Sequence, residues 1–239
     1  MNNFKLTLIS TLALVGASFG TVISGSSLQG ILDSHTDDGL SSINVNTDQV
    51  NPDAYWNITA SKASIATMII ELAGYAGSNT FGVYDAGNIL SKVQLFNGAA
   101  TGGLGGTTTT LKIDGAFKVS VNNLYQTTFS GKTFGYYLSG PGGTFYSDNN
   151  LNEGKSDHMV AFQGKNDGFD VEGGSDFSTW TPNEYVLGWE DVAFPGADSD
   201  YNDMVLMVES VKPVPEPTTI GLMGLGLIGV FAAARRRKA

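Results

Sequence analysis

The stretch Leu111–Val121 reads LKIDGAFKVSV and alternates between apolar and polar side chains. Its odd and even positions differ in character: the odd ones hold Leu111, Ile113, Phe117, Val119 and Val121, and the even ones hold Lys112, Asp114, Lys118 and Ser120. A period of two is typical of a β-strand with one face in the core and the other in water. The stretch therefore predicts a strand.

Further short apolar runs on both sides of this stretch predict more strands, with glycine-rich and Asn-rich turns between them. These runs are Ala54–Ala60, Thr80–Tyr84, Phe134–Leu138, Met159–Phe162, Tyr185–Trp189 and Met204–Val211. The run Ile65–Leu72 also fits a helix, but we favour a strand because its neighbours are strands. The stretch Asn97–Thr110 is typical of a loop or weak hairpin. Residues 21–212 are therefore expected to form one all-β domain, an antiparallel β-sandwich or jelly roll.

The composition excludes several classes of function. The chain has no cysteine, which rules out disulfides, zinc-thiolate clusters and thiol nucleophiles. Five of its 13 basic residues lie in the terminal segments, which leaves eight lysines against 23 acidic residues. Such an acidic surface repels phosphate backbones, so we expect no nucleic-acid partner. It attracts divalent cations instead.

The N-terminal segment has the pattern of a signal peptide. Lys5 is followed by the uncharged stretch Leu6–Phe19 and by small residues up to Gly20. This stretch is too short to cross the hydrocarbon core as a helix, which is about 30 Å thick. Residues 1–20 are therefore predicted to form a signal helix that directs export. The alternative is an uncleaved N-terminal anchor.

The C-terminal segment, residues 213–239, has three parts: the tripeptide Pro215-Glu216-Pro217, the uncharged stretch Thr218–Ala234 and the basic cluster Arg235-Arg236-Arg237-Lys238. As a helix, residues 218–234 would reach about 25 Å, which is just sufficient to span a membrane. The positive-inside rule predicts that the basic cluster stays in the cytoplasm. The segment predicts a C-terminal transmembrane helix.

This three-part order resembles the PEP-CTERM sorting signal. The resemblance implies recognition by an exosortase-type membrane enzyme, with cleavage near Pro-Glu-Pro. The membrane-anchored chain would then be an intermediate, and its product would reach the cell surface or the extracellular space. The alternative is an ordinary single-span anchor.

Acidic residues concentrate in one part of the domain. The stretch Asp148–Asp203 holds 13 of the 23 acids, and its densest part follows Gly188. Glu190 and Asp191 end a predicted strand there, and four polar residues follow in a predicted turn: Asp198, Asp200, Asn202 and Asp203. Alternate side-chain oxygens in a tight turn can converge on one ion, and Ca²⁺ binds six to eight oxygens. These six residues are our predicted Ca²⁺ ligands. A solvated acidic turn and a set of catalytic carboxylates are the alternatives.

The pattern is not that of an EF-hand. Asp203 stands where that loop requires glycine, and Met204–Val211 is predicted to be a strand rather than a helix.

Two motifs here resemble an uncharacterised family of exported bacterial domains, namely Gly188-Trp-Glu-Asp and Asp198-Ser-Asp-Tyr-Asn-Asp-Met-Val. Upstream, Phe134-Gly-Tyr-Tyr-Leu, Phe145-Tyr-Ser, Asp157-His158 and Phe162-Gln-Gly carry the same resemblance, which covers about residues 80–211. It implies functional roles for Glu190, Asp191, Asp198, Asp200 and Asp203. Trp189 and Ser199 stand where the family frequently has Phe and Arg. The resemblance implies no reaction.

Three functions follow as hypotheses. The first is a structural or adhesive matrix protein, not an enzyme, that Ca²⁺ stabilises. The second is a carbohydrate-binding module, with an exopolysaccharide as a partner, which would use exposed aromatic residues: Tyr136, Tyr137, Tyr146, Trp180 and Tyr201. The third is a glycoside hydrolase with Glu190 or Asp191 as the acid and Asp198 or Asp200 as its partner.

Overall fold

The computed structural model describes residues 21–24, 26–60, 63–71, 77–98, 100 and 107–215. The expected signal helix at 1–20 and the expected transmembrane helix at 218–234 lie outside the described residues. Within the described ranges, no helix has the length and apolar character needed to cross a membrane.

The described residues form one α-helix, α1 (Ser27–Ser34), two 3₁₀ turns (Asn149–Leu151 and Glu153–Lys155) and fifteen strands. The strands are β1 (Trp56–Ile58), β2 (Ser64–Glu71), β3 (Thr80–Asp85), β4 (Asn88–Phe96), β5 (Thr108–Ile113), β6 (Lys118–Val121), β7 (Leu124–Thr128), β8 (Phe134–Gly140), β9 (Gly143–Tyr146), β10 (Met159–Gln163), β11 (Asp167–Phe169), β12 (Ser178–Trp180), β13 (Glu184–Trp189), β14 (Met204–Glu209) and β15 (Val211–Pro213).

These strands form antiparallel sheets, which confirms the all-β prediction. Among the described residues, the first sheet has the order β15-β1-β8-β3-β4, with β9 also paired to β8. The second sheet has the order β10-β13-β14-β2-β5-β6-β7, and β11 and β12 form a small separate sheet. Only Ser210 separates β14 of the second sheet from β15 of the first, so the chain passes directly from one sheet to the other.

The main core lies between the two large sheets and is rich in aromatic side chains. The ring centroids of Trp56 in β1 and Tyr185 in β13 are 5.0 Å apart. Those of Phe81 in β3 and Trp189 in β13 are 5.9 Å apart. Both pairs meet edge to face, the geometry that the ring quadrupoles favour, so they join the two sheets at specific places.

A second core covers the outer face of β10, β13 and β14. Leu28, Ile31 and Leu32 of α1 are buried in it, together with Phe169 and Trp180 of the small sheet. Strand β14 (MVLMVE) therefore has apolar contacts on both faces, since Leu206 lies in the main core and Val205 in the second core. This explains why its sequence is a continuous apolar run rather than an alternating one.

The structure differs from the prediction at Leu111–Val121, which forms a hairpin rather than one strand. The chain turns at Asp114–Phe117, where the Asp114 side chain accepts hydrogen bonds from the Ala116 and Lys118 amides. Phe117 adopts a positive φ of 61°. The period of two continues across this turn because β5 and β6 pair with Leu111 opposite Val121 and Ile113 opposite Val119. The alternation thus identified the core face correctly and missed the reversal.

Two other expectations have clear outcomes. The strand favoured over a helix near Ile65–Leu72 is confirmed as β2, with Leu72 outside the described residues. Helix α1 was not predicted, since its eight residues include only three buried apolar side chains.

We expect Trp56→Ala to destabilise the fold by about 3–5 kcal/mol, because it removes a fully buried indole between the two sheets. Thermal or denaturant unfolding of the purified protein measures the change. The matched control is Leu90→Ala, because Leu90 is 89% exposed and its loss should change stability by no more than about 0.5 kcal/mol. Equal effects of the two substitutions would contradict the assignment of Trp56 to the core.

Candidate metal centre

The predicted ligands lie in the loop that joins β13 to β14. These strands pair with Trp189 opposite Met204, so the loop begins and ends at adjacent positions. The Asp203 amide donates to the Trp189 carbonyl at 3.2 Å, which closes the loop. Glu190 and Asp191 at its start therefore lie beside Asp203 at its end.

The second half of the loop folds back over the outer face of β13. A Cβ atom on Gly188 would lie 2.6 Å from the Tyr201 carbonyl oxygen, closer than real Cβ contacts allow. Glycine at this position thus lets the chain around Tyr201 lie directly on the strand. The Tyr201 side chain is buried in the second core, and its hydroxyl donates to the Asp157 carbonyl at 2.9 Å.

Backbone conformation in the turn alternates. Ser199 and Tyr201 adopt positive φ values of 65° and 54°. Non-glycine residues seldom adopt this conformation, which costs about 1–2 kcal/mol for each residue. The surrounding contacts must stabilise it, and the Ser24 amide contributes by donating to the Ser199 carbonyl at 2.6 Å.

Glu190 is the most deeply buried acid of the site, with 1% of its surface exposed. Its Oε1 accepts a hydrogen bond from the Tyr201 amide at 2.7 Å. Its Oε2 is buried and has no hydrogen-bond partner among the described residues. The pKa of Glu190 is raised to about 7, first by burial and also by the nearby carboxylates of Asp203, Asp198 and Asp200, while the hydrogen bond from the Tyr201 amide acts in the opposite direction.

The carboxylates of Glu190, Asp198 and Asp200 lie close together. Glu190, Asp198 and Asp200 each offer an oxygen, and these oxygens all lie within 4.8 Å of one another. Two ligands of the same Ca²⁺ can be at most about 5 Å apart, because each lies 2.3–2.6 Å from the ion. The three oxygens therefore fit a common cation, and no other such group occurs in the part of the chain that the structure describes.

Asn202 does not join this group. Its side-chain amide donates to Asp200 Oδ2 at 2.6 Å, so it orients the Asp200 carboxylate. The pKa of Asp200 is raised, by burial first and also by its neighbour Asp198.

Asp191 and Asp203 form a second pair that lines the same pocket, of about 320 Å³, as Glu190 and Asp198. The Asp191 amide donates to Asp203 Oδ2 at 2.9 Å. Burial raises the pKa of Asp203 to about 6, and the adjacent Asp191 carboxylate also raises it. The structure thus places five of the six predicted residues at the pocket or in the three-carboxylate group, with Asn202 behind Asp200.

One residue of the site was missed by sequence reasoning. The buried Asn79 lies just before β3 in the first sheet, and its Nδ2 donates to Asp191 Oδ2 at 2.9 Å. It is 112 positions from Asp191 along the chain. No local pattern around Asn79 could have indicated this contact.

His158 lies behind the site rather than in it. Its backbone carbonyl accepts from the Glu190 amide at 3.1 Å, and its ring stacks on Phe145 with centroids 3.9 Å apart. Burial lowers its pKa to about 4, so the ring is neutral at physiological pH. Its main contribution is to position the backbone of Glu190.

The aromatic residues considered for carbohydrate binding are mostly in the interior. Tyr136, Tyr137, Trp180 and Tyr201 are buried. Tyr146 is half-buried, and the Lys92 ammonium lies over its ring at 4.7 Å from the centroid. These five residues therefore do not form the exposed aromatic surface that the carbohydrate-binding hypothesis requires.

Comparison with protein families confirms both resemblances. Residues 213–238 match the PEP-CTERM protein-sorting motif, and residues 117–211 match the family described as Domain of unknown function (DUF4114). Comparisons with curated proteins and with solved structures gave no significant match.

The PEP-CTERM motif implies that the chain is an exported protein, sorted to the cell envelope by an exosortase-type enzyme. The DUF4114 match includes the whole acidic loop but specifies no activity. It begins within the β5–β6 turn, although β5 pairs with β6 and β2 pairs with β14. The folded unit is therefore larger than the matched segment.

In the presence of a chelator, we expect Glu190 to contribute stability that is lost as the pH rises from about 4.5 to 7. This contribution is measured as the difference in stability between wild type and Glu190→Gln, because His158, whose pKa is lowered to about 4, acts in the opposite direction below about pH 6.5. Glu190 titrates near 4.5 in an unfolded chain and about 7 in the fold, so the folded state binds the proton more tightly. Protonation therefore stabilises the fold below pH 7, and this stabilisation is absent above it. Asp203, raised to about 6, acts in the same direction. Melting temperatures from pH 5 to 8 measure the effect.

Glu190→Gln tests the assignment, because it keeps the shape of the side chain and removes its charge. We expect a higher melting temperature than wild type at pH 8 in chelator and a weaker pH dependence near 7. Asp176→Asn is the control, because it removes one negative charge from an exposed position outside the site. An unchanged pH profile in Glu190→Gln would show that Glu190 is not the titrating group.

Proposed function

We propose that this chain is an exported surface or extracellular-matrix protein with a structural or adhesive role, whose β-domain is stabilised by Ca²⁺ bound at the β13–β14 loop. The unpartnered Glu190 Oε2, beside Asp198 and Asp200, carries the proposal. A buried carboxylate without a partner is costly, and a hard cation supplies the missing charge.

The ligand set favours Ca²⁺ over Mg²⁺. Mg²⁺ requires near-octahedral geometry, keeps several waters and usually binds only one or two carboxylates. Ca²⁺ accepts irregular sets of several carboxylates, which suits a group of three. Glu190, Asp198 and Asp200 would supply the first ligands, while Asp191 and Asp203 line the same pocket.

A structural role fits the position of the site. The loop joins two strands that contribute side chains to both cores, and Asn79 connects it to the first sheet through Asp191. A cation there would stabilise both halves of a fold that has no disulfide. Binding to the folded state alone adds about 2.7 kcal/mol when the ion is at 100 times its Kd.

The hydrolase hypothesis is less favoured. Retaining glycosidases hold their two carboxyl groups about 5–5.5 Å apart across an open cleft, and inverting ones hold them further apart. Here Glu190 is buried, and one of its oxygens lies within 4.8 Å of an oxygen of Asp198 and of Asp200. Such a group suits a cation better than a sugar ring.

Millimolar Ca²⁺ is expected to raise the melting temperature by about 5–10 °C relative to EDTA, from the 2.7 kcal/mol above and about 2–4 °C per kcal/mol for a domain of this size. Asp200→Asn should abolish most of this shift. The matched control is Asp176→Asn, which removes the same charge from an exposed position outside the site and should keep it. The proposal fails if wild type shows no shift at any calcium concentration up to 10 mM.

The location of the mature protein is a separate part of the proposal. We propose a membrane-anchored intermediate with a cytoplasmic C-terminus, which the exosortase-type enzyme cleaves near Pro215-Glu216-Pro217 before the domain reaches the cell surface. Mass spectrometry of the surface protein should then find no peptide from residues 218–239. A strain lacking the enzyme should retain these residues. Their presence in the surface protein of wild-type cells would contradict processing.

A further inference from the structure

Thr21 is held in place by hydrogen bonds to two other parts of the chain. Its hydroxyl donates to Asp157 Oδ2 at 2.5 Å, and its carbonyl accepts from the Gln49 side-chain amide at 2.5 Å. Three residues further along, the Ser24 amide donates to the Ser199 carbonyl in the β13–β14 loop. The path of the chain is therefore fixed at Thr21, the residue that follows the predicted signal helix.

The Asp157 carboxylate, two residues before β10, has no cationic partner among the described residues. Its oxygens accept hydrogen bonds from a hydroxyl and a backbone amide, which are both neutral donors. The ion pair between Lys165 and Asp48 is the only one in that part of the chain, and the adjacent His158 is neutral at physiological pH. Burial raises the pKa of Asp157. A positive charge beside this carboxylate would therefore stabilise its ionised form.

The backbone nitrogen of Thr21 lies close to this carboxylate. Within one threonine, the side-chain oxygen and the backbone nitrogen are about 3–4 Å apart. Together with the 2.5 Å from the hydroxyl to Asp157 Oδ2, this places the nitrogen no more than about 6 Å from that oxygen. An opposite charge at about 4–6 Å favours the ionised form of a carboxylate. In the uncut chain the nitrogen belongs to a neutral peptide bond, so a cut directly before Thr21 would create the missing charge.

The sequence before Thr21 fits such a cut. Signal peptides end in a small residue, any residue and a second small residue, as in Ala-x-Ala. Ser18, Phe19 and Gly20 have this pattern, which makes the bond after Gly20 a candidate. The bond after Ser18 is a second candidate, because Gly16 stands two residues before Ser18. The pattern alone allows both cuts, and only the first leaves the new N-terminus beside the carboxylate.

We propose that the signal peptide is removed at the Gly20–Thr21 bond and that the freed α-ammonium of Thr21 forms an ion pair with Asp157. Water adds across the peptide bond under a signal peptidase, which leaves a carboxylate on Gly20 and an amine on Thr21. The amine takes up a proton at neutral pH, because the pKa of an α-amino group is ordinarily about 8.

The ion pair would reinforce the support of the β13–β14 loop. The Tyr201 hydroxyl donates to the Asp157 carbonyl at 2.9 Å, and Ser24 holds the loop at Ser199. Both ends of the new pair are therefore connected to the acidic loop through short segments. The precursor, which has a neutral amide at Thr21, lacks the pair, so removal of the signal peptide would itself stabilise the fold.

This inference does not depend on the proposed cation, because the pair can be tested in EDTA. A stabilising α-ammonium without a calcium shift would contradict only the proposed function. A calcium shift without any effect of the α-ammonium would contradict only the ion pair.

The position of the cut is tested by N-terminal sequencing of the exported protein, recovered from the envelope of cells that produce the full chain. We expect Thr21 as the first residue. Phe19 as the first residue, or an uncut N-terminus, would overturn the proposal.

The ion pair is tested by acetylation of the exported protein near pH 6.5. At this pH the reagent modifies the α-amine in preference to lysines, whose pKa is ordinarily about 10.4. Acetylation replaces the α-ammonium by a neutral amide, so we expect the melting temperature in EDTA to fall by about 3–6 °C. No fall in the wild-type protein would overturn the proposal, whatever the variants show.

Substitution of Asp157 shows whether the effect of acetylation acts through its carboxylate. In Asp157→Asn, acetylation should change the melting temperature by less than about 1 °C, because the partner charge is already absent. Asp157→Glu retains the charge and should keep most of the effect. The matched control is Asp176→Asn, which removes the same charge from an exposed position and should keep all of it. An equal fall in Asp157→Asn and wild type would overturn the ion pair.

Discussion

The burial of one carboxylate determines the structure of the β13–β14 loop. Glu190 directly follows a strand that is covered on both faces, and its side chain is buried, with a protein donor for only one of its oxygens. The loop places Asp198 and Asp200, rather than a lysine or arginine, beside the Glu190 carboxylate. Negative charges beside a buried carboxylate destabilise its ionised form, so this arrangement is stable only when a proton or a cation neutralises the group. The raised pKa of Glu190 and the fit of three oxygens to Ca²⁺ are two consequences of this same arrangement.

The rest of the fold supports this loop. Gly188 allows the Tyr201 carbonyl to lie on β13, and Ser24 holds Ser199 in its positive-φ conformation. The N-terminal segment from residue 21 is therefore part of the site as well as of the second core. Asn79 connects Asp191 to the first sheet. These supports come from three separate parts of the chain, and two of them, Ser24 and Asn79, lie outside the segment that matches DUF4114, so the geometry of the loop depends on the folding of the whole domain.

The sequence predicted the features that depend on local pattern. Period-two alternation identified the core face of β5 and β6, and the density of acids identified the loop. The reversal at Asp114 was missed because the pairing of Leu111 with Val121 keeps the alternation in phase on both sides of the turn. The partners of the acids were missed for a different reason. Asn79 and the Tyr201 amide act through contacts between residues that are distant in sequence, which no local pattern indicates.

The acidic residues of the domain fall into two groups, which the overall composition does not distinguish. A strongly acidic chain is expected to repel its own copies, and calcium would be expected to act by reducing that repulsion. Here the acids that face the pocket are held by the β13–β14 loop, while the exposed acids around the small sheet remain at the surface. A cation in the pocket would neutralise the first group and leave the charge of the second unchanged. Calcium would therefore stabilise the fold by acting locally at the β13–β14 loop, without neutralising the rest of the acidic surface. In an exported protein that has no disulfides, such a local site can supply stability while the surface keeps the net charge that holds the protein in solution.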